Sequence, residues 1–355
     1  MRRILPALLA ILSMAPAAAQ TWTQLAAPGP PGPRNLLGCW FDGADPNHGV
    51  AAGFYVQAFD LIPFVYSTAN GGSTWQYQTP YFAGSFLAAR AVIFTSSLNG
   101  FLVGGGVART QDGGTTWDLS ADVFTVGGQL SDGAFSSPTH GYAVGQPWNG
   151  TGGLFCATVN AGASWSCGNV NDPNPLVAVA PQLTAVVRPS ATLLVAGGVA
   201  SAADDRTLIR STDDGVTWAA TGLTVNVNAL EFTSPGTGCA GTDTGILRTI
   251  DGGVTWSPVL TTVAAVHKLR IAHGLGFAVA DDGSIWSTTN AGASWSAMSN
   301  PAQGTALYDL FIVSPQLAYA CGSGGTLLRY TGPVPALFAD GFETGDTSVW
   351  SAAWP

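Results

Sequence analysis

Few side chains in this chain could support acid–base chemistry. Charged residues make up 9% of the 355-residue sequence, against about 25% in typical domains. A hydrolase that works with two carboxyl groups needs an acidic pair facing across a cleft. Asp132 and Asp309 are the only pair that can be nominated. Because this signal is weak, no catalytic residue is assigned and a non-catalytic role is favoured.

Arginine side chains form a second set of candidates. Three of them stand three positions before a recurring Asn or Asp, and a fourth lies near the end of a similar strand: Arg109, Arg210, Arg248 and Arg329. They could be exposed strand charges that pair with neighbouring acidic groups. The less favoured alternative is a patch that grips an acidic or C-terminal segment of a partner protein through charge-assisted hydrogen bonds.

The elements that must position these groups are built from one short motif, which we call the staple. It runs from a Thr or Ser through an Asn or Asp, a Gly and a Ser or Thr to a Trp. The six staples are Thr68–Trp75, Thr110–Trp117, Thr158–Trp165, Ser211–Trp218, Thr249–Trp256 and Thr288–Trp295. Copies recur about every 40–50 residues, which is typical of a repeat architecture.

The staple residues predict a hairpin held by its own hydrogen bonds. An Asn or Asp side chain accepts bonds from nearby backbone N–H groups, Gly supplies a positive φ, and Trp buries a large ring. A ligand role for the Asn and Asp residues is the less favoured alternative. The residues concerned are Asn70, Asp112, Asn160, Asp213, Asp251 and Asn290, with Trp75, Trp117, Trp165, Trp218, Trp256 and Trp295.

Strand-like runs upstream of each staple bring every unit to four strands, which is typical of a β-propeller blade. A seventh unit ends at Thr326–Tyr330 without a staple. Thr21–Leu25 has the Thr–Trp opening of the fourth strands and is predicted to complete that unit, which removes two exposed sheet edges. The predicted fold is therefore all-β: a seven-bladed β-propeller of four-stranded antiparallel blades, the last closed by the N-terminal strand.

The staples resemble the Asp-box, or BNR, repeat of sialidases, sortilin-type receptors and the photosystem II stability/assembly factor-like family. Arg109–Trp117 and Arg248–Trp256 closely match the pattern Arg-Ser/Thr-x-Asp-Gly-Gly-x-Thr-Trp that is frequent in the last family. The resemblance covers residues 21–332 and implies a non-catalytic propeller that holds a partner polypeptide during assembly. Since three staples carry Asn and lack the preceding Arg, a different partner is expected.

Two other functions remain open. Sialidase-like or endoglucanase-like propellers imply a glycoside hydrolase, but beyond the leader the chain has only two Glu, Glu231 and Glu343, and no Arg-Ile-Pro signature. A carbohydrate-binding adhesion protein is the other alternative, with Trp148 as the best surface aromatic. The partner is therefore an unknown protein or glycan ligand.

The chain divides into three segments. Residues 1–19 have the basic start, short apolar run and small residues of a secretory leader, residues 20–332 form the propeller, and residues 333–355 form an acidic tail that is a candidate sorting segment. A secreted or periplasmic bacterial protein is expected, without a transmembrane segment in the mature chain and as a monomer. The net charge of −9 and the single Lys argue against nucleic acid.

The five cysteines suggest disulfides rather than a metal site. Cys156 and Cys167 flank the third staple, so a disulfide across that hairpin is plausible in an oxidising compartment. Cys39 and Cys321 fall in adjacent predicted blades, which permits a second bridge, and Cys239 is left over. No spacing suggests zinc, and no metal or cofactor is expected.

A candidate binding site emerges when the innermost strands are aligned by their last apolar residues. Four positions earlier, each strand places a polar or aromatic residue at the mouth of the central channel. Converging polar groups on a concave face are the default site hypothesis, although they could simply solvate the mouth. The predicted mouth residues are Arg90, Ser131, Asn228, His267 and Tyr308, with Asp132 and Asp309 beside two of them.

Overall fold

A computed structural model gives the architecture of most of the chain. It describes residues 20–26, 34–57, 60–78, 88–121, 126–148, 152–170, 182–200 and 206–333. The predicted leader and, apart from residue 333, the predicted tail lie outside the described residues. Within the described part, no helix has the length and hydrophobicity needed to span a bilayer.

The described strands form seven four-stranded antiparallel sheets, which confirms the predicted seven-bladed propeller. The first strand, β1 (Thr21–Gln24), belongs to the last blade. Blade 1 contains β2 (Arg34–Phe41), β3 (Gly49–Gln57), β4 (Asp60–Thr68) and β5 (Gln76–Gln78). Blade 2 contains β6 (Ala89–Phe94), β7 (Gly100–Gly104), β8 (Val107–Thr110) and β9 (Asp118–Ala121). Blade 3 contains β10 (Gly128–Phe135), β11 (Gly141–Pro147), β12 (Leu154–Thr158) and β13 (Ser166–Asn169).

The remaining blades follow the same order. Blade 4 contains β14 (Gln182–Val187), β15 (Leu194–Val199), β16 (Leu208–Ser211) and β17 (Ala219–Ala220). Blade 5 contains β18 (Val227–Phe232), β19 (Gly238–Thr242), β20 (Gly245–Thr249) and β21 (Ser257–Thr261). Blade 6 contains β22 (Val266–Ala272), β23 (Leu275–Ala280), β24 (Ile285–Thr288) and β25 (Ser296–Met298). Blade 7 contains β26 (Leu307–Ser314), β27 (Leu317–Gly322), β28 (Leu327–Thr331) and β1.

The second strand of a blade lies between two neighbouring blades, and its composition reflects this. All residues of β7, β19 and β23 are buried, because both faces of the strand are covered. These strands are rich in Gly and Ala, which allow the blades to approach closely. At Gly241, for example, a Cβ would lie 2.8 Å from the carbonyl oxygen of Val266 in the next blade.

The N-terminal strand closes the ring as predicted. β1 pairs antiparallel with β28, with Trp22 opposite Tyr330. Trp22 is 5% exposed, and its ring lies 5.1 Å from that of Phe277 in blade 6 and 5.4 Å from that of Tyr330 in blade 7. One indole therefore joins the N-terminal strand to the cores of two blades.

Trp22→Ala should destabilise the protein strongly, because it removes a buried aromatic ring at the closing blade. We expect the free energy of unfolding to fall by about 3–5 kcal/mol, measured by chemical denaturation. Thr21→Ala, at an exposed position of the same strand, should change it by less than about 0.5 kcal/mol. Equal unfolding midpoints for the two variants would contradict a role of this strand in the core.

Candidate functional site

Every innermost strand contains a β-bulge at the same position. Seven inner strands surround the central channel, and in each the pairing with the second strand skips one residue near the start. The skipped residues are Leu37, Arg90, Ser131, Thr184, Asn228, His267 and Tyr308. A bulge bends its strand and redirects a side chain, so one residue from each blade contributes to the same end of the channel.

These seven bulge residues line one small cavity, which we call the mouth. It has a volume of about 90 Å³, and Asp132 and Asp309 also line it. The structure thus brings together all of the predicted mouth residues. Leu37 and Thr184 were missed, because the inner strands of blades 1 and 4 were not included in the alignment of last apolar residues. Whether the mouth binds a ligand stays a prediction.

The polar mouth residues of blades 5 and 6 already have acidic partners. The side-chain amide of Asn228 donates to Asp243 at 2.9 Å, and Nε2 of His267 lies 2.7 Å from Oδ1 of Asp281. The His267 ring also packs edge-on against Tyr308, with 5.4 Å between the centroids. These contacts fix the positions of the Asn228, His267 and Tyr308 side chains. Arg90 is the most exposed of the seven bulge residues.

Three charged residues, which we call the plug, cross the channel just below the mouth. They occupy the position directly after the bulge, where the other four blades have Gly or Ala. Nζ of Lys268, the only Lys in the chain, lies 3.7 Å from Oδ1 of Asp132 and 3.8 Å from Oδ1 of Asp309. All three side chains are largely buried, so the plug is an internal ion cluster.

Each plug carboxylate also holds the next blade. Oδ2 of Asp132 accepts a hydrogen bond from the backbone N–H of Val186 at 3.2 Å, and Oδ2 of Asp309 accepts one from Cys39 at 2.8 Å. Val186 and Cys39 occupy equivalent positions, two residues after the bulge of their strands. The nominated hydrolase pair is therefore bridged by a lysine and bonded to backbone, an arrangement that favours a structural role.

A larger cavity, which we call the chamber, lies on the other side of the plug. Its volume is about 480 Å³. The first and third strands of an antiparallel blade run in the same direction, here from the mouth end to the chamber end. Since each staple follows a third strand, the chamber opens at the rim where the staples lie. Its wall includes the third residue after each bulge: Trp40, Ile93, Ala134, Val187, Glu231, Arg270 and Phe311.

The chamber wall is apolar on one side and charged on the other. Trp40 stacks on Phe94 with 3.9 Å between the ring centroids. Across blades 5 and 6, Nη1 of Arg270 donates to Oε2 of Glu231 at 3.0 Å. Burial raises the pKa of the Glu231 carboxyl, although Arg270 counteracts this effect. The guanidinium remains partly exposed to the cavity. An apolar wall beside a few fixed polar groups is typical of ligand sites.

Hydrogen bonds within the six staples follow a single pattern. In the fifth staple, Oγ1 of Thr249 donates to Asp251 at 2.8 Å and accepts from the N–H of Gly253 at 2.9 Å. The Asp251 carboxylate in turn accepts from the N–H and hydroxyl of Thr255 at 2.9 and 2.6 Å. Asn fills the same place in three staples, as at Asn160. This supports the structural interpretation of the staple.

The residue after each Asn or Asp is a junction that the sequence did not reveal. It has a left-handed conformation in every staple, even where it is Ala161, Asp214 or Ala291. A residue with a Cβ pays roughly 1–2 kcal/mol for this conformation. At Gly71 the backbone N–H bonds within the blade, to Asn47, while the carbonyl accepts a bond from Tyr319 of the preceding blade.

The side chain that reaches this junction differs from blade to blade. Nε2 of His48 donates to the carbonyl of Gly113 at 2.7 Å, and the Tyr142 hydroxyl donates to the Asp214 carboxylate at 2.7 Å. Adjacent blades are thus linked at equivalent places by chemically different donors.

Two of the four predicted arginines serve this same purpose. Nε of Arg210 donates to the carbonyl of Gly252 at 2.7 Å, and Nε of Arg248 donates to that of Ala291 at 3.4 Å. Each bond runs from one blade to the staple of the next. Arg109 and Arg329 occupy the matching strands β8 and β28. A partner-binding arginine patch stays a prediction, since the observed bonds of Arg210 and Arg248 are structural.

The structure contains a disulfide between Cys156 and Cys167. These residues face each other across β12 and β13, on either side of the third staple. Cys39, Cys239 and Cys321 are buried free thiols. Among the described residues, no group of His, Cys, Asp or Glu side chains could hold a metal ion.

Comparisons with known proteins identify the fold class. No protein-family model matches the chain, and no curated protein matches it in sequence. Solved structures that are similar include YCF48 from Cyanidioschyzon merolae, with a TM-score of 0.64 and 16% identity over 88% of this chain and 99% of that chain. The molecule is a seven-bladed β-propeller of the same architecture.

Two similar propellers were solved with bound polypeptides. A structure of YCF48 bound to D1 peptide has a TM-score of 0.61 and 18% identity, covering 88% of this chain and 96% of that chain. Chaetomium thermophilum Sqt1 bound to the N-terminus of the ribosomal protein L10 has a TM-score of 0.55 and 13% identity, covering 84% and 97%. Identities this low establish the fold alone.

Acid should weaken the staples that contain Asp. Hydrogen bonds from Thr217 and Thr255 lead the causes that lower the pKa of Asp213 and Asp251 from 3.8 to about 2. A lowered pKa means that the carboxylate stabilises the fold above its ordinary pKa, and that this stabilisation is lost as the pH falls towards 2.

The double variant Asp213→Asn/Asp251→Asn should therefore lose less stability than the wild type between about pH 4 and pH 2. Urea unfolding midpoints across this range provide the measurement. Asp118→Asn, at an exposed strand position, is the control and should follow the wild type. If the double variant and the wild type had the same pH dependence, the loss of stability in acid could not be assigned to Asp213 and Asp251.

Lys268→Met should lower the free energy of unfolding by about 3 kcal/mol, because it leaves the buried plug carboxylates without the lysine cation. Burial raises the pKa of Asp309, so its neutral form is favoured on folding and stability falls as the pH rises through that pKa. The Lys268→Met variant should thus lose more stability at neutral than at mildly acidic pH, as measured by chemical denaturation.

The control is Arg90→Met, at the exposed mouth position, which should change stability little at either pH. Equal losses of stability in both variants would count against the ion cluster.

Proposed function

We propose that this protein is a non-catalytic propeller that binds a polypeptide segment at the staple-side rim. The observation that carries the proposal is the chamber of about 480 Å³, which is large enough for a bulky side chain or a chain end. Its apolar wall and the Glu231–Arg270 pair provide both burial and orientation. A polypeptide supplies apolar side chains and backbone polar groups together.

Exposed apolar side chains on the same rim support this assignment. Val159, Val216, Ile250 and Val254 belong to the staples of blades 3, 4 and 5, and each is more than half exposed. Apolar side chains grouped on one face favour a protein interface. A segment bound over the chamber could extend across these staples.

The structural neighbours support a polypeptide as the ligand. Both YCF48 and Sqt1 share this fold, and each was solved with a peptide or protein terminus. Together with the staple resemblance to the photosystem II assembly factor-like family, this favours an assembly scaffold. A different partner is proposed, because the staples of blades 1, 3 and 6 lack the Arg and Asp of that family's pattern.

An extracytoplasmic location completes the proposal. It is supported by the leader-like residues 1–19 and by the Cys156–Cys167 disulfide, since disulfides persist in oxidising compartments. A glycan ligand is the alternative, because Trp148 presents a ring that is 56% exposed. Binding to a glycan array that is lost in Trp148→Ala would favour the alternative.

Two substitutions on one inner strand test which end of the channel binds. Ala134 lines the chamber and Ser131 lines the mouth, three residues apart on β10. Ala134→Phe fills the chamber and should weaken binding of peptides selected from a display library by at least about tenfold, a loss of roughly 1.4 kcal/mol. Affinities measured by calorimetry provide the readout.

Ser131→Phe is the matched control and should leave those affinities unchanged. A loss of binding in Ser131→Phe alone would assign the ligand to the mouth instead. If the library yields no peptide that either substitution affects, the polypeptide-binding proposal is wrong. Circular dichroism of both variants checks that the propeller is intact.

A further inference from the structure

Two buried thiols lie at the seam where the ring closes. Cys39 belongs to the inner strand of blade 1 and Cys321 to the second strand of blade 7, which β1 completes. They are 2% and 0% exposed and belong to one hydrophobic cluster with Leu36 and Leu327. No other blade boundary in the described residues carries a cysteine from each side.

Backbone geometry places these two cysteines next to each other. Asp309 is directly opposite Cys321 in the β26–β27 pair, so their Cβ atoms are about 5 Å apart on one face of the blade. The Asp309 carboxylate reaches across the seam to the N–H of Cys39 at 2.8 Å. The sulfur of Cys321 lies 3.7 Å from the carbonyl oxygen of Leu36, three residues before Cys39 on the same strand.

We propose that Cys39 and Cys321 form a disulfide that locks blade 1 to blade 7, and that the bond forms while the ring is closing. The oxidant is a small or protein disulfide. The thiolate of one cysteine attacks a sulfur of that disulfide, giving a mixed disulfide and one released thiolate. The second cysteine's thiolate then attacks the mixed disulfide, so that the protein pair is oxidised by two electrons and the oxidant is reduced to two thiols. The two protons lost by the cysteines are balanced, through solvent, by the two that the released thiolates take up.

The timing follows from burial. A disulfide oxidant cannot reach either sulfur once blade 7 has packed on blade 1. The neighbouring Cys321 side chain and burial both raise the pKa of Cys39, and burial raises that of Cys321, so little reactive thiolate exists in the closed ring. Exchange therefore requires the open seam, and the redox state set at closure is retained afterwards.

The chain provides an internal control thiol. Cys239 is also fully buried, but its sulfur faces the carbonyl oxygen of Gly292 at 3.9 Å rather than another thiol. Burial raises its pKa to about 12. Under this proposal it stays reduced under every condition.

Refolding of the full chain tests the proposal. Denatured, reduced protein is refolded either with oxidised glutathione or with excess dithiothreitol, then denatured in acid, alkylated and mapped by mass spectrometry. Oxidative refolding should leave only Cys239 alkylated and should yield a Cys39–Cys321 cross-linked peptide. Reductive refolding should leave all five cysteines alkylated. Three alkylated cysteines after oxidative refolding, or a cross-link from Cys39 or Cys321 to Cys239, would overturn the proposal.

A second arm tests the timing. Protein refolded with dithiothreitol is freed of it and exposed in the native state to oxidised glutathione. Cys39 and Cys321 should remain reduced for many times the period that suffices during refolding. Oxidation at equal rates in both arms would rule out formation at closure.

Stability measurements keep the test informative if a variant folds poorly. The oxidised wild type should have an unfolding equilibrium constant roughly 30- to 1000-fold smaller than oxidised Cys321→Ser. Cys239→Ser, which also places a hydroxyl in the core, should change the constant by the same factor under oxidising and reducing conditions. If removing Cys321 changes the constant equally under reducing conditions, packing and not a disulfide is responsible, and the lock is refuted.

Discussion

A four-stranded blade has two apolar faces, and each can be covered only by another blade. This constraint underlies the whole structure, because the second strands are buried on both sides and would be exposed at either end of an open stack. A ring gives every blade two neighbours. The two ends of the described chain meet in blade 7, because β1 is its fourth strand, and Trp22 packs there into the cores of blades 6 and 7.

The central channel is a consequence of this closure, and its lining differs sharply along its length. Seven bulges supply the mouth, three charges form the plug, and a mixed wall surrounds the chamber. The plug carboxylates do more than pair with Lys268, since Asp132 and Asp309 each bond the backbone of the next blade. The charged side chains in the channel therefore also hold adjacent blades together. The chamber is the part of the channel that a ligand could enter.

Much of the fold was predictable because its signals are local. Gly72 and its equivalents need a positive φ, Asn and Asp close the hairpin, and Trp marks the fourth strand, so staple counting gave six blades and Thr21–Leu25 the seventh. The bulges were not predictable, since Leu37, Thr184 and Tyr308 share no residue type that demands one. The contact between Glu231 and Arg270 depends on how blades pack and leaves no trace in the spacing of the residues. Counting the blades predicted that Cys39 and Cys321 lie in adjacent blades, but not that both are buried in one cluster.

In five of the six staples the junction residue accepts a hydrogen bond from the blade before it, and the donor is Tyr319, His48, Tyr142, Arg210 or Arg248 according to the seam. The donors are Tyr, His or Arg, so the side chain that bridges two blades differs in length and shape between most seams. Although the blades arose from one repeating pattern, they are no longer interchangeable. Shuffling the order of the blades would break these hydrogen bonds. A circular permutation, which joins the termini and cuts an exposed turn elsewhere, would preserve every one of them.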